Sequence, residues 1–281
     1  MRKYMKYEIK GSYRFILGII AIVLIASTII QLNISKQIKF DMMGSGNDIT
    51  GFGAFMLIIS IGVIFGAFLT AFFQIIGSFR KELYEDRGYL TFTLPLTGNQ
   101  ILGSKIIVAL LWYVVLGLSI VVYNLLLAFI LFGGDWLKIG KEIFSMINSG
   151  VFSLGIISGL SVIMTQILIY FSMALSRVSV RNKKIGGLWF IIFIILNALT
   201  SYLVFKISSV FPYFLDLSTF KVLHQYEAHS LINIFGSVQG QTILLGNNNI
   251  FINIIGSLSQ IVISVLAFIT TGYIIEKRID L

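Results

Sequence analysis

The chain has 281 residues, of which 57% are hydrophobic and only 12% are charged. Typical globular proteins have about 25% charged residues, so one water-soluble core of this size cannot bury so much apolar surface, and lipid must solvate much of it. The absence of cysteine excludes a disulfide framework, a thiolate metal site and a cysteine nucleophile. In a membrane protein, the net charge of +9 reflects the sorting of Lys and Arg to one side of the membrane. No nucleic-acid partner is therefore expected.

Long charge-free runs divide the chain into six apolar segments. About 20 apolar residues, at about 1.5 Å rise per residue, cross a hydrocarbon core of about 30 Å. Backbone polar groups must be satisfied inside the bilayer, so the spans must be helices, and the alternating segments of a β-barrel do not dominate. The sequence predicts an all-α integral membrane protein with a single membrane domain over 1–281. The predicted spans are 15–33, 53–77, 107–132, 152–175, 185–205 and 250–274.

The first 14 residues have an amphipathic pattern, with apolar side chains on one helical face and basic side chains opposite. This pattern predicts a helix on the anionic inner leaflet before the chain turns into the membrane. A frayed basic anchor is the alternative. The first span is read as a retained helix, because it is long and no small-residue cleavage site follows it.

The connection from Arg80 to Lys105 is charged at first and then apolar. Thr97 and Gln100 have capping-box spacing, so the third helix is expected to begin there. The apolar segment 89–94 is unlike a solvated loop. It either docks on a partner at the cytoplasmic face or rests on lipid headgroups.

Three further connections are informative. The short cationic loop 177–184 reads as a stop-transfer signal and lipid anchor. The long outer connection 206–249 is semi-apolar, which predicts short helices packed into the outer leaflet or against the spans. Residues 134–151 resemble a smaller interfacial helix.

The basic residues indicate the orientation. With the amino terminus inside, 15 of the 21 basic residues, including every arginine, lie in cytoplasmic segments, and six lie outside. The acidic residues divide evenly, so the inner segments carry the whole positive excess. The positive-inside rule therefore predicts a plasma-membrane protein with both termini in the cytoplasm.

The predicted spans lack charges in their middles, which argues against a proton-relay or ion-coupled carrier. Neutral polar groups there either line a mildly polar path or bond to neighbouring helices, and the second role is expected for most of them. They are Gln31, Gln74, Asn124, Thr165, Gln166, Asn197, Thr200, Ser257, Gln260 and Ser264. The pairs Gly62/Gly66 and Gly155/Gly159 permit close helix packing without locating a function.

No enzymatic or cofactor site is expected on this chain. His224 and His229 bracket Glu227, but their spacing matches no zinc-protease motif, so at most adventitious Zn²⁺ is expected. The stretch Gly134–Lys141 has the wrong glycine spacing for a phosphate loop and is followed by Glu142 instead of Ser or Thr. ATP-driven transport would therefore need an ATPase on another polypeptide.

Two motifs resemble a known family. The runs Gly88-Tyr-Leu-Thr-Phe-Thr-Leu-Pro95 and Gln100-Ile-Leu-Gly-Ser-Lys105 resemble the stretch after the second span of ABC-2 type permease subunits. The tail with Glu276-Lys277-Arg278 and the six-span pattern are similar as well. Among relatives, the chain looks most like small peptide exporters of low-GC Gram-positive bacteria.

The resemblance implies a second, identical or different, permease subunit, and a cytoplasmic ATP-binding-cassette subunit that supplies ATP and Mg²⁺ chemistry. It also implies a coupling helix within 80–94, called the docking segment below, and a re-entrant helical hairpin in 206–249. The expected ATPase-docking residues are Glu82, Glu85, Asp86, Arg87, Tyr89, Leu90, Phe92 and Leu94.

The function expected from this resemblance is outward transport of an amphipathic peptide, toxin or drug. A non-transporting immunity or sensor protein that sequesters a toxic peptide is the alternative from another class. An intramembrane enzyme is disfavoured, because the sequence has no catalytic constellation.

Overall fold

The computed structural model describes residues 1–42, 51–85, 95–132, 149–179, 187–224, 227, 242–245 and 250–277. This part of the chain contains six long helices and four short strands. The helices are α1 (Arg2–Met42), α2 (Gly51–Tyr84), α3 (Gly98–Phe132), α4 (Ser149–Ser179), α5 (Leu188–Val210) and α6 (Ile254–Lys277). The strands are β1 (Tyr213–Asp216), β2 (Val222–His224), β3 (Ile243–Leu245) and β4 (Ile250–Asn253).

All six helices are long and apolar enough to cross a membrane. Their outward faces carry large apolar side chains such as Phe65, Phe129 and Ile130, each more than half exposed. Water would penalise so large an apolar surface, whereas hydrocarbon would not. The prediction of six apolar spanning helices is therefore confirmed, and the chain fits a multi-pass membrane protein.

Helix α1 is one continuous helix from Arg2 to Met42, where a turn was expected after residue 14. The amphipathic face itself is present, because Tyr4 is buried while Lys6 and Lys10 are exposed. One glycine inside a helix costs only about 1 kcal/mol, so Gly11 does not interrupt it. The basic amino-terminal segment is thus the first part of the spanning helix.

The chain divides into two compact units, described separately below. The first unit takes in Met1–Phe79 and Gly103–Ile143, and the second takes in Arg80–Leu102 and Phe144–Leu281. Helices α1, α2 and α3 build the core of the first unit. Its buried residues are Ile16, Ile19, Val23, Ala67, Ala71, Ile75, Val108, Ala109, Trp112 and Leu116.

Helices α4, α5 and α6 pack on one another in the second unit. The four strands of this unit form an antiparallel sheet in the order β2-β1-β4-β3. Phe214, Leu244 and Phe251 form its buried core, with Leu223 packed against them. The sheet follows α5 and leads directly into α6.

This sheet differs from the helical hairpin expected in 206–249. In the described part of that connection, residues 213–216, 222–224 and 243–245 are strands, while 228–241 lies outside the described residues. Phe214 and Asp216 are buried while Tyr213 is exposed, which is the alternation of a half-buried strand. Such alternation extends over too few residues to be distinguished by sequence from the apolar stripe of a short helix.

Candidate functional site

The docking segment is only partly described. Glu82 lies in the last turn of α2 and is 8% exposed, and Glu85 follows the helix and is exposed. The other six expected docking residues lie between 86 and 94, outside the described residues. The docking role of all eight stays a prediction.

Two hydrogen bonds hold the docking segment within the second unit. Near its start, the Tyr84 hydroxyl donates a hydrogen bond to the Met173 carbonyl oxygen of α4, over 3.2 Å. After it, the Gly98 N–H donates to a carboxylate oxygen of Glu276 on α6, over 3.3 Å. A carboxylate at a helix N-terminus also interacts favourably with the helix dipole. The segment is therefore anchored to α4 at one flank and to α6 at the other.

The start of α3 is built as the capping-box spacing predicted. The Gln100 N–H donates to the Thr97 hydroxyl, and the Thr97 N–H donates to the Gln100 side-chain oxygen, each over 3.3 Å. These reciprocal bonds form the capping box, and the Gln100 N–H also donates to the Thr97 carbonyl oxygen at 2.9 Å. The prediction that α3 begins at this point is confirmed.

Glycine lets α3 and α6 approach closely at this end. A Cβ atom at Gly98 would overlap the carbonyl oxygen of Gly272, and a Cβ at Gly272 would overlap the Asn99 side chain. By contrast, a Cβ at Gly62 or at Gly155 would meet nothing within 4 Å. This glycine-dependent contact between α3 and α6 therefore involves other glycines than the pairs singled out by sequence.

A cavity of about 410 Å³ lies among α4, α5 and α6. Its walls also include Thr242 and Ile243, at the start of β3. Seven of the lining residues are polar and uncharged, and six are apolar. The lining residues are Met164, Thr165, Leu168, Asn197, Thr200, Ser201, Val204, Phe205, Thr242, Ile243, Gln260, Ile263 and Ser264.

Three of the five hydroxyls that line this cavity donate hydrogen bonds within their own helices. Thr165 donates to the Ser161 carbonyl, Thr200 to the Asn197 carbonyl and Ser264 to the Gln260 carbonyl. The expectation that neutral polar residues bond to neighbouring helices is therefore wrong for these three. Their oxygens still offer lone pairs as acceptors.

The amides of Asn197 and Gln260 are different from these hydroxyls. Both side chains are exposed and line the cavity, and neither makes a hydrogen bond to any side chain or backbone group that the structure describes. Each amide offers two N–H donors and one carbonyl acceptor. As far as the described residues go, the cavity therefore presents amide donors and acceptors without a protein partner, and no ionisable side chain lines it.

Asn253 connects the sheet to helices α5 and α6. Its amide donates to the carbonyl oxygens of Ser208 and Phe211 at the end of α5, and its side-chain oxygen accepts the Gly256 N–H at 2.7 Å. Its own N–H donates to the Thr242 carbonyl. One side chain thus caps α6 and joins it to the end of α5.

The helices of the first unit are joined by an ion pair and by hydrogen bonds between uncharged side chains. The ammonium of Lys105 on α3 pairs with Glu8 of α1 at 3.1 Å and donates to the Ser78 hydroxyl of α2 at 3.3 Å. Further along the same helices, the Gln31 amide donates to the Asn124 backbone and side-chain oxygens. For Gln31 and Asn124, the expected bonding between neighbouring helices is confirmed.

Sequence reasoning treated Lys105 as one more cytoplasmic base and did not single out Asn253 at all. The position of Lys105, at the start of an apolar helix with no charge in the residues that follow, could have indicated that its side chain is buried and paired. The position of Asn253, immediately before an apolar run, could have indicated that it is the N-cap of α6. Among the described residues no group of three His, Cys, Asp or Glu is placed to hold a metal ion.

Comparison with known proteins gives no match. No family model matches the sequence, and no curated protein or solved structure matches it significantly.

Proposed function

We propose that this chain is the membrane-spanning permease subunit of an ATP-driven exporter. It moves an amphipathic substrate outward while docked to a separate cytoplasmic ATP-binding subunit, and it works beside a second permease subunit. The motif resemblance at 88–105 motivates the family, and the six apolar helices are consistent with it.

The observation that carries the proposal is the anchoring of the docking segment. Its two flanks bond to Met173 on α4 and to Glu276 on α6, and these helices are two of the three that line the cavity. A partner that pulls or pushes on the segment acts through those bonds on both helices. Packed helices shift between discrete arrangements instead of deforming continuously. A movement of the docking segment therefore changes the arrangement of α4 and α6, and with it the shape of the cavity.

Affinity purification of the full chain from its native host tests the assembly. A tagged chain, extracted in mild detergent, is expected to bring down a polypeptide that is photolabelled by azido-ATP and has vanadate-sensitive ATPase activity. Substituting both Leu90 and Phe92 by Ala is expected to release that polypeptide, whereas Phe129→Ala, on a lipid-facing position of α3, serves as the control. A chain that purifies without any nucleotide-binding partner contradicts the proposal.

Sequestration of a toxic peptide by a non-transporting membrane protein remains the second candidate. The cavity supports sequestration as well as it supports export, because binding a peptide needs no ATPase. The two functions differ in one measurement: ATP-dependent loss of a cargo from inside-loaded vesicles is expected only for the exporter.

A further inference from the structure

The cavity among α4, α5 and α6 has a lining that defines a class of ligand. Asn197 on α5 and Gln260 on α6 face it with amides that have no bond to the described protein. A polar group in an apolar medium loses several kcal/mol unless something bonds to it. The occupant of the cavity must therefore supply both hydrogen-bond donors and acceptors.

Charge restricts the occupant further. Among the described residues that line the cavity there is no Asp, Glu, Lys, Arg or His. A phosphate, carboxylate or ammonium group placed there would lose hydration without meeting an opposite charge, which is costly at low dielectric. The polar end of the occupant is consequently uncharged.

The lining also has an apolar part. Its members are Met164, Leu168, Val204, Phe205, Ile243 and Ile263, and Phe205 is nearly half exposed. Such a mixed lining suits a molecule with an apolar part beside its polar end. The volume falls within the range of about 300–1,000 Å³ that is usual for small-molecule sites.

We propose that this cavity is a binding site for an uncharged amphiphile whose polar end carries hydroxyl or amide groups, held by Asn197 and Gln260. The hydroxyls of Thr200 and Ser264 accept hydrogen bonds from the same ligand. The site is a property of the second unit alone and does not rest on transport or on an ATPase. If the chain is an exporter, this ligand defines the class of its cargo. The cargo assignment rests on the proposed function, whereas the binding site does not.

Photolabelling of the purified full chain in liposomes tests the site. The probe is a monoacylglycerol with a diazirine in its acyl chain, and the matched charged probe is a lysophosphatidylglycerol with the same chain. We expect the neutral probe to label peptides of α4, α5 and α6, and excess unlabelled monoacylglycerol to abolish that labelling. The charged probe is expected to label them at least about tenfold less, because it lacks a counter-charge.

Two sets of variants locate the binding energy. Asn197→Leu with Gln260→Leu keeps side-chain bulk but removes both amides, and it should lower competable labelling about tenfold or more. Ser201→Phe, at an exposed lining position, should block the site by filling it if the double variant does not fold. Thr270→Val is the control, because Thr270 is exposed on α6 outside the lining and donates to Leu266 in its own helix.

Three results would overturn the site. They are labelling that no competitor reduces, which means that the probe reacts from the bulk bilayer and not from a site; equal labelling by the two probes; and wild-type labelling in both lining variants. These liposomes contain no ATPase, so the labelling experiment tests only the binding site. The exporter assignment is tested separately by the affinity purification.

Discussion

The ammonium of Lys105 lies 3.1 Å from the Glu8 carboxylate, and only 2% of the Lys105 side chain is exposed. The Tyr4 ring lies beneath the same ammonium, with its centroid 5.8 Å from Nζ. A basic residue of α3 is thereby paired inside the first unit with an acidic residue of α1. The pair holds the amino-terminal part of α1 against α3, in place of the free inner-leaflet helix expected from sequence.

Removing one member of this pair is expected to destabilise the protein more than removing both. Lys105→Met leaves the Glu8 carboxylate without its partner, and because the Glu8 side chain is 17% exposed the expected loss is at most about 3 kcal/mol. Adding Glu8→Leu removes the stranded charge and should recover most of that loss. Thermal unfolding in detergent, followed by tryptophan fluorescence, measures both variants.

Lys6→Met is the matched control for this cycle, because Lys6 is exposed on the same amino-terminal segment. It should leave the unfolding temperature nearly unchanged, since exposed charges contribute little. A double variant that is as unstable as Lys105→Met alone would show that the two charges do not act as a pair.

Asn253→Ala is expected to loosen the junction between α5, the sheet and α6. The change removes the N-cap of α6 and leaves the carbonyls of Ser208 and Phe211 without this donor, so a loss of about 2 kcal/mol is expected. Asn33→Ala is the control, because among the described residues Asn33 donates to Ile29 of its own helix and to no other helix. Equal unfolding temperatures for the two variants would contradict the bridging role.

The glycines of α3 and α2 should respond oppositely to alanine. At Gly98 the new Cβ overlaps the backbone of Gly272, and backbone has little room to move, so about 1–3 kcal/mol is lost. At Gly62 the new Cβ meets nothing within 4 Å, so the higher helix propensity of alanine is neutral or stabilises by about 1 kcal/mol. Detergent unfolding of the two variants compares them, and a tolerated Gly98→Ala would place α3 further from α6.

The sequence predicted those features that depend on local chemistry. The six apolar runs are long enough to be recognised one by one, and the capping box at Thr97 and Gln100 depends on a spacing within one turn. The pairing of Lys105 with Glu8 and the gathering of Asn197 with Gln260 depend on which helices become neighbours. Helical periodicity does not specify neighbours, and the four short strands are below the length at which alternation can be distinguished from a helical stripe.

Cysteine labelling tests the predicted orientation, with both termini inside and 206–249 outside. The chain has no native cysteine, so single substitutions at Asn47, Asn182 and Asn248 give no background; all three lie outside the described residues. A membrane-impermeant thiol reagent applied to intact cells should reach Asn47→Cys and Asn248→Cys and miss Asn182→Cys. Labelling at position 182 before permeabilisation would reverse the orientation.

The last prediction concerns Leu90 and Phe92 in the docking segment. If these side chains are seated in a groove of the ATP-binding partner, each truncation to Ala costs about 1–3 kcal/mol of docking energy. Reversing the charge at Glu85 or Arg87 should act more weakly and depend on salt, because charges at the rim of an interface are screened. Co-purification of the ATPase and ATP-dependent transport are the two measurements.

Tyr84 and Glu276 supply the variants that separate docking from transmission. Tyr84→Phe removes the bond to Met173 and Glu276→Gln weakens the bond to Gly98, while residues 86–94 stay intact. These variants should keep the ATPase bound but lower the amount of cargo transported for each ATP hydrolysed, because movement of the docking segment is no longer transmitted to α4 and α6. Leu90→Ala with Phe92→Ala should lose the ATPase itself. If that double variant assembles and transports as the wild type does, the apolar segment rests on lipid headgroups, and the flanking bonds to α4 and α6 have only a structural role.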